Sequence, residues 1–163
     1  MLVCLKNGSG SGARRWVQDS VDMNIAGFLT PKMDTAYLYD DDSLRQGLEK
    51  MHHHGYAAIP VITQDGIYRG TISEGDFLWC LIDIQDKALH RTNVKNVEKW
   101  FIRDLMQLDK YPPVRITATM EQLLERSMSQ NFVPVVDDEE KYIGLVTRVA
   151  ILRYFYGRFP EQG

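Results

Sequence analysis

This sequence predicts a mixed α/β fold made of two copies of one β-α-β-β-α unit, and three observations carry the prediction. Residues 56–79 and 130–153 repeat one another at a displacement of 74. Each copy opens a helix with a hydroxyl residue followed three positions later by Gln. Each then carries an apolar strand containing a proline and, after a polar turn, a second apolar strand.

Within the repeat, Pro60 aligns with Pro134, Val61 with Val135, Ile62 with Val136 and Tyr68 with Tyr142. Gly70, Ile72, Ser73 and Leu78 align with Gly144, Val146, Thr147 and Leu152. Upstream the displacement is 76, pairing Leu38 with Val114, Ser43 with Thr119, Leu44 with Met120 and Leu48 with Leu124. Copy two is thus two residues shorter between its first helix and its proline-containing strand, and the chain is a tandem duplication.

Residues 35–39 and 114–117 mix β-branched, aromatic and apolar side chains and read as first strands. The pairs Ser43/Gln46 and Thr119/Gln122 have capping-box spacing. The helices they open present Leu44, Leu48 and Met51, and Met120, Leu123 and Leu124, as apolar faces. Residues 57–62 and 133–136 read as buried strands, with Pro60 and Pro134 expected only at a first or edge position. Turns at 64–66 and 137–140 lead to antiparallel partner strands at 67–72 and 141–146, and helices then start near Asp76 and Thr147. So small a unit cannot cover both faces, so the copies must pack on each other.

At 163 residues, 44% hydrophobic and 25% charged, the chain can bury a core without disulfides or metals. A net charge of -3 lacks the basic excess of a nucleic-acid-binding surface. The longest apolar run, 77–82, is too short to span a membrane, and Asp83 ends it. Cys4 and Cys80 make no disulfide framework, and the few apolar residues before Lys6 lack the core of a signal peptide, so a cytoplasmic location is expected. Neither a nucleophile motif nor a phosphate-binding loop is visible, and His90 has no recognisable acid partner, so no enzymatic activity is expected. The run His52-His53-His54 suits a helix C-terminus before Gly55 better than a metal, because consecutive helical residues point about 100° apart. Asp40, Asp41 and Asp42 read as a preference for the positive end of the following helix. Trp79, Trp100, Phe101, Tyr154, Phe155 and Tyr156 are expected on helices near the ends of the copies, as packing or dimer contacts.

The segments Gly55-Tyr-Ala-Ala-Ile-Pro-Val61 and Gly70-Thr-Ile-Ser-Glu-Gly-Asp76, with Asn131-Phe-Val-Pro-Val-Val-Asp137 and Gly144-Leu-Val-Thr147 in copy two, resemble the CBS-domain signature over about residues 23–157. The resemblance implies a pseudo-two-fold Bateman module: a leader at 1–22, CBS motifs at 23–88 and 101–157, a linker helix at 89–100 and a tail at 158–163. It also implies a homodimer, no required cofactor, no nucleic-acid or membrane partner, and a regulatory adenine nucleotide held between the motifs. That nucleotide would touch Thr35, Ala36 and Tyr37, then Tyr56, Ala57, Ala58, Ile59 and Pro60, then Ser73 and Asp76. From copy two it would touch Asn131, Phe132, Val133, Pro134, Thr147 and Arg148.

Residue chemistry leaves two roles open for Ser73 and Asp76. A hydroxyl and a carboxylate three apart at a helix start can hold phosphate and a ribose diol, or can simply cap the helix. Tyr37 and Tyr56 could stack on adenine or fill the core. In copy two Ala150 replaces the acid, and Arg148 either favours a phosphate-rich ligand or stands in solvent. Mononucleotides are therefore expected to prefer the Asp76 site and a cyclic dinucleotide the Arg148 site. A narrower similarity, to stand-alone bacterial CBS-pair proteins that bind cyclic di-AMP and dock onto other enzymes when unliganded, rests on the acid-free second copy and implies an unidentified partner protein here; Asp76 is the feature expected for AMP, ADP or ATP. The alternative is a passive dimerisation scaffold with empty clefts.

Overall fold

The computed structural model describes residues 24–80, 82, 100–106 and 110–157. The expected leader, the tail, Cys4, His90 and the linker helix up to residue 99 lie outside the described residues. After a 3-10 turn at Ile25–Phe28 come β1 (Thr30–Pro31), a second 3-10 turn (Lys32–Asp34), β2 (Leu38–Tyr39), α1 (Leu44–His54), β3 (Ala58–Ile62) and β4 (Tyr68–Ser73). A helix over 74–80, α2, follows directly. Copy two then supplies α3 (Ile102–Leu105), β5 (Val114–Arg115), α4 (Met120–Ser129), β6 (Phe132–Val136), β7 (Tyr142–Thr147) and α5 (Arg148–Tyr156).

Local chemistry places most of these boundaries. Both capping boxes form: the Ser43 and Thr119 hydroxyls accept from the N–H groups of Gln46 and Gln122, whose side chains reach back to the cap. α1 stops at Gly55, whose φ of 65° lies in the left-handed region that a residue with a Cβ avoids. The Asp40–Asp42 run serves a turn rather than the helix dipole. Asp42 Oδ2 accepts from Tyr39 N–H, while the carbonyls of Asp40 and Asp42 accept from Arg103 and Ile102. The first strands are shorter than expected, because residues 35–37 leave a 3-10 turn instead of pairing.

Strands 57–62 and 133–136 form as expected, but neither is at a sheet edge. The sheets run β2-β3-β4 and β1-β7-β6-β5, so both proline strands are internal. Pro60 and Pro134 survive there because β2 and β5 are only two residues long. Those strands pair with Val61 and Ile62 and with Val135 and Val136, so no strand stands beside the prolines on that side. Each proline is locally at an edge.

Sequence periodicity gave no sign of β1. Thr30 and Pro31 lie ahead of copy one, yet they pair antiparallel with Leu145 and Gly144 in copy two. A Cβ on Gly144 would come within 2.2 Å of the Thr30 carbonyl oxygen, so only glycine admits this strand. The same crossing governs the cores. Ile25, from ahead of copy one, is buried with Leu123, Val133 and Ile151 of copy two. Ile102, at the start of copy two, is buried with Leu44, Ile59 and Phe77 of copy one. Leu48 was expected on the inner face of α1 but is exposed, whereas Gly47 is buried and Ile102 fills the space above it. Trp100 and Phe101 precede α3 rather than lying on a helix; Trp100 packs against the copy-one core and Phe101 bridges to Ser43.

The copies meet at a pseudo-two-fold junction. Tyr68 N–H donates to the Glu140 carbonyl and Tyr142 N–H to the Gly66 carbonyl, a reciprocal pair. The Tyr68 and Tyr142 rings stack beside it, with centroids 6.2 Å apart. Burial first of all raises both phenols, that of Tyr142 to about 12.

Candidate ligand clefts

The junction leaves a cleft on either side. The open one holds a cavity of about 380 Å³. Its walls are Thr35 and Ala36 just after the second 3-10 turn, Tyr56, Ala57, Ala58 and Pro60 from the α1–β3 region, and Asn131, Phe132 and Thr147 from copy two. These expected site residues, distant in sequence, share one space. Asp34, Gly55, Leu145 and Val149 complete it together with Thr30. Thr147 caps α5, its hydroxyl accepting from Ala150 N–H. Tyr37 lines an adjoining basin of about 870 Å³ that shares Asp34, Thr35, Ala36 and Tyr56 with the cleft. There Lys32 and Lys50 hold their ammonium groups 5.0 and 5.3 Å from the Tyr37 ring centre.

The equivalent position on the other side carries an ion pair between the copies. Ser73 donates through both its N–H and its hydroxyl to Asp76 Oδ2 at 2.7 Å. Lys110 Nζ sits 2.8 Å from both carboxylate oxygens and from the Ser73 hydroxyl. Burial pushes the Asp76 carboxyl up, but the hydrogen bonds from Lys110 and Ser73, with the Lys110 charge, outweigh it and hold the carboxyl below its ordinary range. Beside this ion pair Tyr111 stacks on Phe132 at 5.2 Å, its carbonyl held by the Tyr68 hydroxyl. Asp76 therefore caps α2 and pairs with a lysine.

Four further expected residues do not line the open cleft. Ile59 and Val133 put their side chains wholly into the two cores, leaving only main chain to meet a ligand, and Pro134 is buried on β6. Arg148, half-buried rather than in solvent, turns its Nε to the Gln130 carbonyl at 3.0 Å and does not line the open cleft. Asp34, Lys110 and Tyr111 were missed by the sequence reading, although the displacement of 76 pairs Asp34 with Lys110 and Thr35 with Tyr111. Among the described residues no group of His, Cys, Asp and Glu is placed to hold a metal, and no helix is long and apolar enough to cross a membrane.

No curated protein sequence matches the chain. Solved structures do. A CBS domain protein from Streptococcus pneumoniae is 22% identical, with a TM-score of 0.77 over 91% of this chain and 97% of its own. CbpB of Listeria monocytogenes, in complex with c-di-AMP, is 24% identical, with a TM-score of 0.68 over 83% and 96%. CBSX2, in complex with AMP, is 25% identical, with a TM-score of 0.64 over 82% and 96%. The CBS domain profile itself matches residues 26–83 and 102–157. That double match spans more than half of the sequence, and the chain belongs to the CBS-domain family, with two CBS domains folded together as a Bateman module.

Proposed function

We propose that this protein is a non-catalytic ligand sensor that binds an adenine nucleotide between its CBS domains and modulates a partner protein. The observation that carries the reading is the open cleft. Its volume of about 380 Å³ is walled by both copies, apolar at Ala57, Pro60, Phe132 and Leu145, with hydroxyls at Thr35 and Thr147. Such a lining suits a flat base with a polar sugar and phosphate at its rim. Solved relatives binding c-di-AMP and AMP support the ligand class. In the second cleft, Ser73 and Asp76 would meet a ribose only after Lys110 moves aside, so the open cleft is the first to fill.

The functional unit we propose is a cytoplasmic homodimer. Leu78, Trp79 and Ile82 on and just beyond α2, and Val149, Leu152 and Tyr156 on α5, leave between 38% and 80% of their surface exposed. The two helices occupy equivalent places in the two copies, so a second molecule can cover both faces with one symmetric contact.

A thermal-shift panel of AMP, ADP, ATP and c-di-AMP tests the sensor reading. A ligand that binds only the folded chain stabilises it by about 2.7 kcal/mol at a hundred times its Kd. At least one of the four should raise Tm in a concentration-dependent way. Four flat responses would leave the passive scaffold as the better reading.

A further inference from the structure

We infer that Asp34 is the hydroxyl-gripping carboxylate of the open cleft, taking from the opposite wall the place that Ala150 left vacant. The inference rests on the nucleotide-binding reading above. In the cleft with the ion pair the acid lies on the helix, as Asp76, and the facing position, ahead of the first strand of copy two, is Lys110. In the open cleft the helix position is Ala150 and the facing position, one repeat earlier, is Asp34. Asp34 lines the same cavity as Thr147, so the turn ahead of copy one does reach the site. The charge has crossed the cleft.

Asp34 is also in the right state to act. Its exposed carboxylate has no hydrogen bond or ion pair among the described residues, whereas that of Asp76 is held by Ser73 and Lys110. It ends a three-residue 3-10 turn whose neighbour Thr35 is fixed by hydrogen bonds to the Lys32 carbonyl and the Tyr142 hydroxyl. A carboxylate accepts and cannot donate, so its natural partners on a nucleotide are the two ribose hydroxyls. Both Lys32 and Lys50 stand in the basin just beyond it, which lowers the repulsion between Asp34 and a phosphate on the same ligand.

Calorimetric titration of the full chain with AMP and with 2′,3′-dideoxy-AMP tests the assignment. The unaltered protein should bind the dideoxy nucleotide about 10- to 100-fold more weakly than AMP, the range for hydrogen bonds to a charged group. Asp34→Asn should lose AMP by the same factor and hardly change the dideoxy nucleotide. Asp65→Asn, an exposed carboxylate in the 64–66 turn, should bind both ligands as the unaltered chain does. If Asp34→Asn binds AMP normally, or loses both ligands equally, the assignment is wrong while nucleotide sensing stands. If the unaltered chain binds AMP no better than the dideoxy nucleotide, the diol is not read and the assignment fails. If it binds no nucleotide in the panel above, the sensor reading fails first and Asp34 with it.

Discussion

The two clefts are made from equivalent segments of a duplicated chain, yet an ion pair crosses one and not the other. In the cleft with the ion pair, Asp76 and Lys110 face each other at 2.8 Å and Tyr111 stacks on Phe132. In the open cleft the corresponding positions hold Ala150 and Asp34, and Thr35 and Ala58, so neither an ion pair nor a ring stack fills the space. The difference teaches that a duplicated site need not diverge by simple loss. Removing the acid from one wall and placing one on the other keeps a carboxylate in the cleft while abolishing the ion pair across it.

The comparison can first be broken at the level of the cores. Ile102→Ala should cost about 2–5 kcal/mol, the usual range for emptying a fully buried site, and denaturant titration should read the loss. Ile25→Ala should cost a similar amount while emptying the other core. A copy-two residue whose removal left the copy-one core intact by hydrogen exchange would contradict the crossed packing.

A smaller effect sharpens the contrast between the clefts. Asp76→Asn should destabilise the chain by about 1–3 kcal/mol at neutral pH, since Lys110 loses its counter-charge and Ser73 is left with a neutral, weaker acceptor. The sign of the pH dependence follows from the depressed carboxyl. Its contribution is complete above the unfolded value of about 3.9 and disappears as pH falls through the lower folded value. Acid unfolding of the unaltered chain should thus be steeper below about pH 4 than that of Asp76→Asn, and the equivalent Ala150→Gly should leave that limb unchanged.

At neutral pH the smallest change belongs to the junction. Tyr142→Phe removes the hydrogen bond between its hydroxyl and that of Thr35, about 0.5–1.5 kcal/mol. Because burial raises the Tyr142 phenol to about 12, its proton-linked stability is complete below the unfolded value of about 10 and is lost as pH climbs toward 12. Alkaline melts of Tyr142→Phe should be flatter over that window. Equal slopes would mean that the phenol is not shielded as its burial implies.

What the sequence disclosed, and what it hid, follows from the range of the interactions involved. Ser43 with Gln46 and Thr119 with Gln122 are three-residue devices, so both helix starts were legible from spacing alone. Tyr56, Ala57, Ala58, Asn131 and Thr147 were expected at one ligand because the resemblance to the CBS signature implies it, and they do line one cleft. Thr30–Pro31 was invisible as a strand because its partner, Gly144, lies in the other copy and two residues show no period. Lys110 and Asp34 stayed hidden for a related reason: each precedes the signature of its own copy and acts across the junction. Arg148 was read as a phosphate ligand by residue type, and its bond to the Gln130 carbonyl, 18 residues away, was not legible from spacing.

The exchange of Ile25 and Ile102 between the two cores has a thermodynamic consequence for any signal the molecule carries. Each half is corked by the other's stem, so opening either core withdraws a part from both. Partial melting of one half is thereby penalised twice, and the two folding transitions merge into one. A ligand seated at the seam need not transmit anything along a path from one domain to the next. By holding the seam it biases a single shared equilibrium, and every surface that depends on that equilibrium responds at once.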